Sequence, residues 1–123
     1  MHIEKPVANQ NYIRPDDKNL TIEGWAVAND QNAKLQVFVD GNLINSNIVR
    51  IDRVDVNKSI SPSYGGTKET PKAGFKAIID ISNFSSGNHI IKVKESSRYN
   101  ETLSESQTTF KISNRQYLRK IKY

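Results

Sequence analysis

Between residues 19 and 93 the chain alternates apolar and polar residues in short runs. Successive side chains of a β-strand point to opposite faces, so alternation with period two predicts strands that bury one face and expose the other. The runs end at Asp40-Gly41, at Ser85-Ser86-Gly87 and at one long segment rich in Gly, Pro and Ser, all of which are turn or loop signals. The pattern predicts an all-β fold made of antiparallel strands.

The hairpin signal at Asp40-Gly41 is the strongest in the chain, because both central residues of a type I′ turn need a positive φ. Leu43 begins the return strand of this hairpin, which we expect to continue to Val49. The predicted strands cover residues 3–7, 20–28, 35–39, 43–49, 75–81, 89–93 and 108–112.

About seven strands joined by hairpins and one long crossover predict an immunoglobulin-like antiparallel β-sandwich. A jelly roll is the competing all-β architecture. The chain has 123 residues, which is the size of one domain. We expect residues 1–113 to form the sandwich and residues 114–123 to form a basic C-terminal tail or linker.

The distribution of charge separates the sandwich from the tail. Residues 114–123 carry four basic side chains and no acid, whereas residues 1–113 carry 14 basic and 13 acidic side chains, so +4 of the net charge of +5 belongs to the tail. A nearly neutral body argues against a nucleic-acid-binding sandwich, which would cluster basic residues on one face. We therefore expect no nucleic-acid partner.

Several functional classes are disfavoured by what the composition lacks. Cysteine is absent, which excludes disulfides, thiolate metal sites and a Cys nucleophile. No apolar run approaches the roughly 18 residues of a transmembrane segment, and no apolar signal-peptide region follows Met1. We expect no transmembrane segment.

The sequence contains no recognisable catalytic or metal-binding constellation. His2 and His89 are the only histidines and lie far apart, and no D-x-D-x-D spacing is present. Paired carboxylates would have to face one another across a cleft, which a lone sandwich of this size rarely supplies. We therefore expect a non-enzymatic protein with no catalytic residues, no metal and no cofactor, in which His89 packs in or caps the core.

Trp25 has two interpretations. A β-bulge at Gly24 would turn Trp25 inward, to pack between the sheets with Val37, Phe75 and Val93. Without the bulge, Trp25 is exposed and could stack on a sugar ring. We favour the buried position, because a lone Trp in a strand usually buries its large apolar area.

Residues 50–73 form a connection that is longer than most loops between strands of a compact domain. Loops of this length are usually functional or disordered. Arg53 and Asp55 are two residues apart and could anchor the start of the loop or contact a ligand. Tyr64, between Ser63 and a Gly-Gly pair, is the best exposed aromatic candidate for binding, although it could also pack under its own loop. The loop is therefore a candidate ligand-binding segment.

In the tail, Arg119 and Lys120 are the candidate contacts to a partner. Aromatic and aliphatic residues alternate there with the basic ones, a composition suited to anionic teichoic acid, a lipid headgroup or RNA. A solvated linker is the alternative, and it is the favoured one because charged chain ends are usually solvated.

Five short motifs follow one another between residues 19 and 93. They are Ile22-Glu23-Gly24-Trp25-Ala26, Val37-Phe38-Val39-Asp40-Gly41, Arg53-Val54-Asp55-Val56, Ala73-Gly74-Phe75 followed by Ile79-Asp80, and Ser86-Gly87-Asn88-His89-Ile90-Ile91-Lys92-Val93. Their order resembles that of an immunoglobulin-like accessory module of clostridial and other Firmicute cell-surface and cell-wall hydrolase proteins, in which a proline usually stands at the position of Val54.

This resemblance implies a non-catalytic accessory domain of a secreted or cell-surface bacterial protein. Such a domain would act as a spacer or as a weak cell-wall or glycan-binding module. Its partners would be cell-wall polysaccharide or peptidoglycan and the neighbouring domains of a larger parent protein. The alternative function is a protein-interaction or assembly domain that pairs through an exposed strand edge.

Overall fold

The computed structural model describes residues 1–26, 33–44, 46–53 and 73–114. These residues form β-strands and no α-helix. The described residues therefore include no helix that is long and apolar enough to span a membrane. The strands are β1 (His2–Lys5), β2 (Gln10–Arg14), β3 (Asn19–Trp25), β4 (Lys34–Val39), β5 (Asn42–Ile44), β6 (Ile48–Ile51), β7 (Gly74–Asp80), β8 (Gly87–Ser96) and β9 (Thr102–Asn114).

The strands form two sheets. Sheet A has the order β1-β3-β7-β6, and sheet B has the order β2-β9-β8-β4-β5. All pairs are antiparallel except β2 and β9, which run parallel. The predicted all-β, immunoglobulin-like sandwich is confirmed.

Two features raise the number of strands above the expected seven. β2 lies in a polar segment whose pattern did not predict a strand, and it is held by pairing with β9 and by hydrogen bonds from hydroxyl-bearing side chains of β9 to Asn9 and Asn11. The single strand expected over residues 43–49 is two strands, β5 in sheet B and β6 in sheet A. The chain therefore crosses from one sheet to the other directly after the hairpin.

The hairpin at Asp40-Gly41 is confirmed. Asp40 has a φ of 51° and Gly41 a φ of 83°, the positive values that a type I′ turn needs. β4 and β5 pair on either side of this turn, with Val39 opposite Asn42.

The core lies between the sheets and is made by the inward positions of the central strands. Burying one such aliphatic or aromatic side chain contributes about 1.5–3 kcal/mol. The buried residues of the core are Ile3, Leu20, Ile22, Ala26, Val37, Val39, Phe75, Ala77, Ile79, Ile81, Ile91, Val93, Phe110 and Ile112.

Trp25 is not part of this core, so the predicted burial of Trp25 between the sheets is wrong. The expected bulge at Gly24 is absent: Gly24 pairs in register with both Ile3 and Phe75, and the register shift lies in β1 instead. Since Ile22 and Gly24 point inward, regular alternation places Trp25 on the outer face of sheet A, where it is half-buried.

Gly24 is required by a close approach rather than by a bulge. A Cβ atom at Gly24 would lie 2.2 Å from the backbone oxygen of His2 and 2.9 Å from the ring of Phe75. The missing side chain lets β1 approach β3 and lets the Phe75 ring fill the core beneath it.

We expect Gly24→Ala to lower the free energy of unfolding by about 1–3 kcal/mol, the usual cost of overpacking. Urea unfolding followed by far-UV circular dichroism measures it. Gly74→Ala is the comparison and should cost less, because its Cβ would lie 2.5 Å from the side-chain Cγ of Arg53 and 3.0 Å from the backbone oxygen of Ile51, whereas the closest contact at Gly24 is with backbone. A Gly24→Ala stability within about 0.5 kcal/mol of the wild type would contradict the close approach.

The sandwich has two ends, named here the upper and the lower pole. The upper pole contains the end of β3 at Trp25, the start of β7 at Gly74 and the end of β8 at Ser96. The lower pole contains the Asp40-Gly41 turn and the start of β8 at Gly87.

The first strand begins at one pole and the last described strand ends at the other. His2 pairs with Trp25 at the upper pole, and Ile112, near the end of β9, pairs with Gly87 at the lower pole. β9 has 13 residues and, at about 3.4 Å per residue, spans roughly 40 Å. The described chain therefore enters the sandwich at the upper pole and leaves it at the lower pole.

Candidate functional site

Of the candidate residues from the sequence, only Arg53 is among the described residues. Asp55, Tyr64, Arg119 and Lys120 lie outside them, so their roles, and the boundary between sandwich and tail, stay predictions. Arg53 donates hydrogen bonds to both carboxylate oxygens of Glu4, at 2.6 and 3.1 Å. This bidentate pair joins the segment after β6 to β1 on the opposite edge of sheet A.

The path of the Arg53 side chain is made possible by Gly74. A Cβ atom at Gly74 would lie 2.5 Å from Cγ of Arg53, so the missing side chain leaves the room that Arg53 occupies. Because β3 lies between β7 and β1, Arg53 must extend across the end of β3 to reach Glu4. Arg53 therefore crosses the outer face of sheet A at the level of Trp25.

Trp25 lies in the same row of this face. The row contains Gly74 on β7 and His2 on β1, and the rings of His2 and Trp25 have their centroids 6.5 Å apart with an interplanar angle of 51°. We call the group His2, Glu4, Trp25, Arg53 and Gly74 the Trp25 face.

The Trp25 face combines an aromatic ring with a guanidinium and a carboxylate. Aromatic rings bind the apolar face of a sugar, and charged groups held beside them donate and accept hydrogen bonds with hydroxyl groups. The arrangement fits binding rather than catalysis. Within the described residues, no three His, Cys, Asp or Glu side chains are grouped closely enough to hold a metal ion.

The lysines next to the Trp25 face share one carboxylate. Lys5 and Lys76 each place their Nζ atom 3.8 Å from an oxygen of Glu23. The three side chains are partly exposed, so the pairs add little stability, but they reduce the positive charge of this face.

At the upper pole, Glu95 is buried and joins the two sheets. Its Oε2 atom lies 3.6 Å from Nη1 of Arg50, and Arg50 also donates a 2.7 Å hydrogen bond to the carbonyl oxygen of Ala26. Burial raises the pKa of Glu95, and the charge of Arg50 and the hydroxyl of Ser104 oppose this shift only in part. Glu95 was not predicted as a buried residue, although it shares the inward phase of Val93.

At the lower pole, His89 is buried as expected and closes the core. Its ring stacks on Phe110 with centroids 5.1 Å apart, and it packs beside Phe84. Nδ1 lies 2.6 Å from Oδ2 of Asp40, and Nε2 lies 2.7 Å from the carbonyl oxygen of Ser85. Both ring nitrogens of His89 thus have an oxygen acceptor within hydrogen-bond distance.

Asp40 is held in its ionised form by this contact. Burial alone would raise its pKa, but hydrogen bonds from the His89 ring and the Ile90 amide, together with the charge of His89, lower the pKa below the ordinary value of 3.8. A carboxyl group with a lowered pKa stabilises the fold above its unfolded pKa, and this stabilisation is lost as the pH falls through the folded value.

We expect Asp40→Asn to destabilise the protein by less than about 1 kcal/mol at neutral pH, because Asp40 is partly exposed. The difference from the wild type should shrink below about pH 4, where the wild-type carboxylate becomes protonated. Urea unfolding at pH 7, 5 and 3 measures this difference. Asp52→Asn, which changes an exposed carboxylate, is the control. A difference that is equal at all three pH values would show that charge on Asp40 is irrelevant.

Comparisons with known proteins identify the fold but no family. Neither the known protein-family models nor the curated proteins contain a match. Among solved structures, the chain is similar to the fibronectin(III)-like modules of CbhA from Clostridium thermocellum, with 16% identity and a TM-score of 0.55 over 92% of this chain and 95% of that chain. This likeness supports the immunoglobulin-like sandwich fold. No family model and no curated protein supports the motif resemblance to cell-wall hydrolase proteins.

Proposed function

We propose that this chain is a non-catalytic accessory module of a bacterial secreted or cell-surface protein and that it acts as a spacer. The supporting observation is that β1 begins at the upper pole and β9 ends at the lower pole. Segments that precede and follow the sandwich are then separated by about the length of β9. The similar solved structures are themselves described as modules, which fits this role.

The topology also suits a chain that is pulled from both ends. β1 pairs with β3, and β9 is paired on both sides, with β2 and β8. A pull along the poles runs parallel to these strands, whereas their hydrogen bonds lie across them. Several hydrogen bonds must therefore break at the same time. In a strand that is peeled away from one end, the bonds would break one after another.

The spacer role predicts a fixed distance between flanking domains. We would fuse one copy of a small reporter domain before Met1 and another after Asn114, each with a single engineered cysteine for a spin label. The second reporter follows Asn114 because we expect the residues after it to form a tail or linker, which would broaden the distance distribution. The chain itself contains no cysteine, so labelling is unambiguous. Electron–electron double resonance should give one narrow distance distribution.

The control joins the same reporters with a Gly/Ser linker of equal length, which behaves as a random coil and should give a broad distribution. A distribution for the natural chain as broad as that of the linker would contradict the spacer role.

Strand-edge pairing, the alternative function, has less support. The edge strands of the described sheets are β1, β6, β2 and β5. β5 has three residues and β6 four, and β1 contains a register shift before Pro6. Short edges, bulges and proline are features that protect sheets from pairing with other chains.

Weak glycan binding is the second candidate function, and the outward position of Trp25 favours it. Trp25 is the only tryptophan in the chain, so its fluorescence reports on the Trp25 face alone. Titration with soluble peptidoglycan fragments should shift the emission and reduce quenching by iodide. Arg53→Gln should weaken the response without unfolding the protein, because Arg53 is partly exposed and lies outside the hydrophobic core. Unchanged emission and quenching at saturating fragment would exclude this face as the glycan site.

A further inference from the structure

A second surface, on the outer face of sheet B, has a different composition from the Trp25 face. A groove of about 600 Å³ runs over the central strands β9, β8 and β4. Pairing places Gln107, Lys92 and Phe38 in one row across the groove, and Glu105 and Lys94 in the next. Every residue of these rows is among the described residues.

The groove has an apolar floor. Phe38 is half-buried, and Ile90 on the neighbouring strand is 48% exposed. Leu43, opposite Phe38 on β5, is 59% exposed and extends the apolar surface to the edge of the sheet. Apolar side chains that line a concave surface beside a few polar groups are typical of ligand sites.

Lys92 and Lys94 supply positive charge above this floor. They are two residues apart on one strand, so they point to the same side with their Cα atoms about 7 Å apart. Lys94 lies opposite Glu105, yet neither lysine forms an ion pair with any described residue. On sheet A, in contrast, Lys5 and Lys76 share Glu23.

Asp40, the acid at the lower end of the groove, forms no ion pair with either of these lysines in the described part of the chain. The Asp40 carboxylate accepts hydrogen bonds from His89 and from the Ile90 amide, at 2.6 and 2.9 Å. The same outer face carries two further exposed lysines, Lys34 on β4 and Lys111 on β9. The face is therefore positive overall and attracts polyanions at low ionic strength.

We propose that this groove binds an acidic polysaccharide whose sugar rings carry carboxylates. One ring packs on Phe38 and Ile90, while Lys92 and Lys94 bind carboxylates spaced along the polymer. Gln107 and Glu105 form hydrogen bonds with hydroxyl groups of the sugar. A purely anionic polymer has no hydroxyl groups for these two side chains to bind. This groove lies on the opposite sheet from the Trp25 face. Binding in the groove does not depend on the proposed spacer role.

The test measures binding of polygalacturonate to the full chain by isothermal titration calorimetry at about 0.15 M ionic strength, where a Debye length of about 8 Å limits attraction from charges outside the groove. We expect Lys92→Gln/Lys94→Gln to weaken binding about tenfold, since each exposed ion pair contributes up to about 1 kcal/mol. Lys34→Gln/Lys111→Gln removes the same charge from the same face outside the groove, and should change affinity less than about twofold. Phe38→Leu keeps most of the apolar volume but removes the aromatic ring, and should also weaken binding.

Two further ligands and two further variants show whether binding depends on the carboxylates of the polymer and on the groove itself. The carboxyl-reduced form of the polymer should not bind, and polyphosphate, which has no apolar ring face, should bind equally to the wild type and to Phe38→Leu. Trp25→Phe and Arg119→Gln/Lys120→Gln should keep the affinity of the wild type, since neither changes the groove.

Equal losses in the two lysine double variants would overturn the proposal in favour of non-specific charge attraction. Absence of polygalacturonate binding, or a loss found only in the tail variant, would overturn it as well. None of these outcomes bears on the interdomain distance or on the Trp25 emission that test the proposed function.

Discussion

Strict alternation of side chains along paired strands is the constraint from which the two faces of this sandwich follow. Once Ile22 and Gly24 of β3 point into the core, Trp25 must point out, because the ladder with β7 contains no extra residue. The same rule on β8 directs Val93 and Glu95 inward and Lys92 and Lys94 outward. The core, the buried carboxylate and both candidate binding surfaces are thus fixed together by strand register.

The sequence was sufficient where the local pattern and the tertiary structure agree. The Asp40-Gly41 turn and the buried His89 were predicted, since a type I′ turn and an inward phase are local properties. Trp25 was misplaced because its size favoured burial, whereas the need for β1 to approach Gly24 closely is visible only when the two strands are paired. β2 was missed for a related reason: its stability comes from β9 and not from an apolar pattern of its own.

Both poles of the core are closed by a polar contact that joins distant segments of the chain, but acid affects the two contacts in opposite directions. The raised pKa of Glu95 means that burying its charge is costly, so its contribution to stability is greatest below about pH 4.5 and falls as the pH rises. The lowered pKa of Asp40 means that its contribution is present at neutral pH and is lost in acid. As the pH falls, protonation of Glu95 therefore removes the cost of burying its charge at the upper pole before protonation of Asp40 weakens the contact at the lower pole.

The outer faces differ in how their charges are balanced, and this difference separates their possible ligands. On sheet A, Glu23 lies between two lysines and Glu4 holds Arg53, so the face around Trp25 is close to neutral and suits an uncharged sugar. On sheet B, neither Lys92 nor Lys94 has such a partner among the described residues, and the nearby Asp40 accepts hydrogen bonds from His89 and Ile90. Within the described sandwich, the groove lysines are therefore available to an external anion.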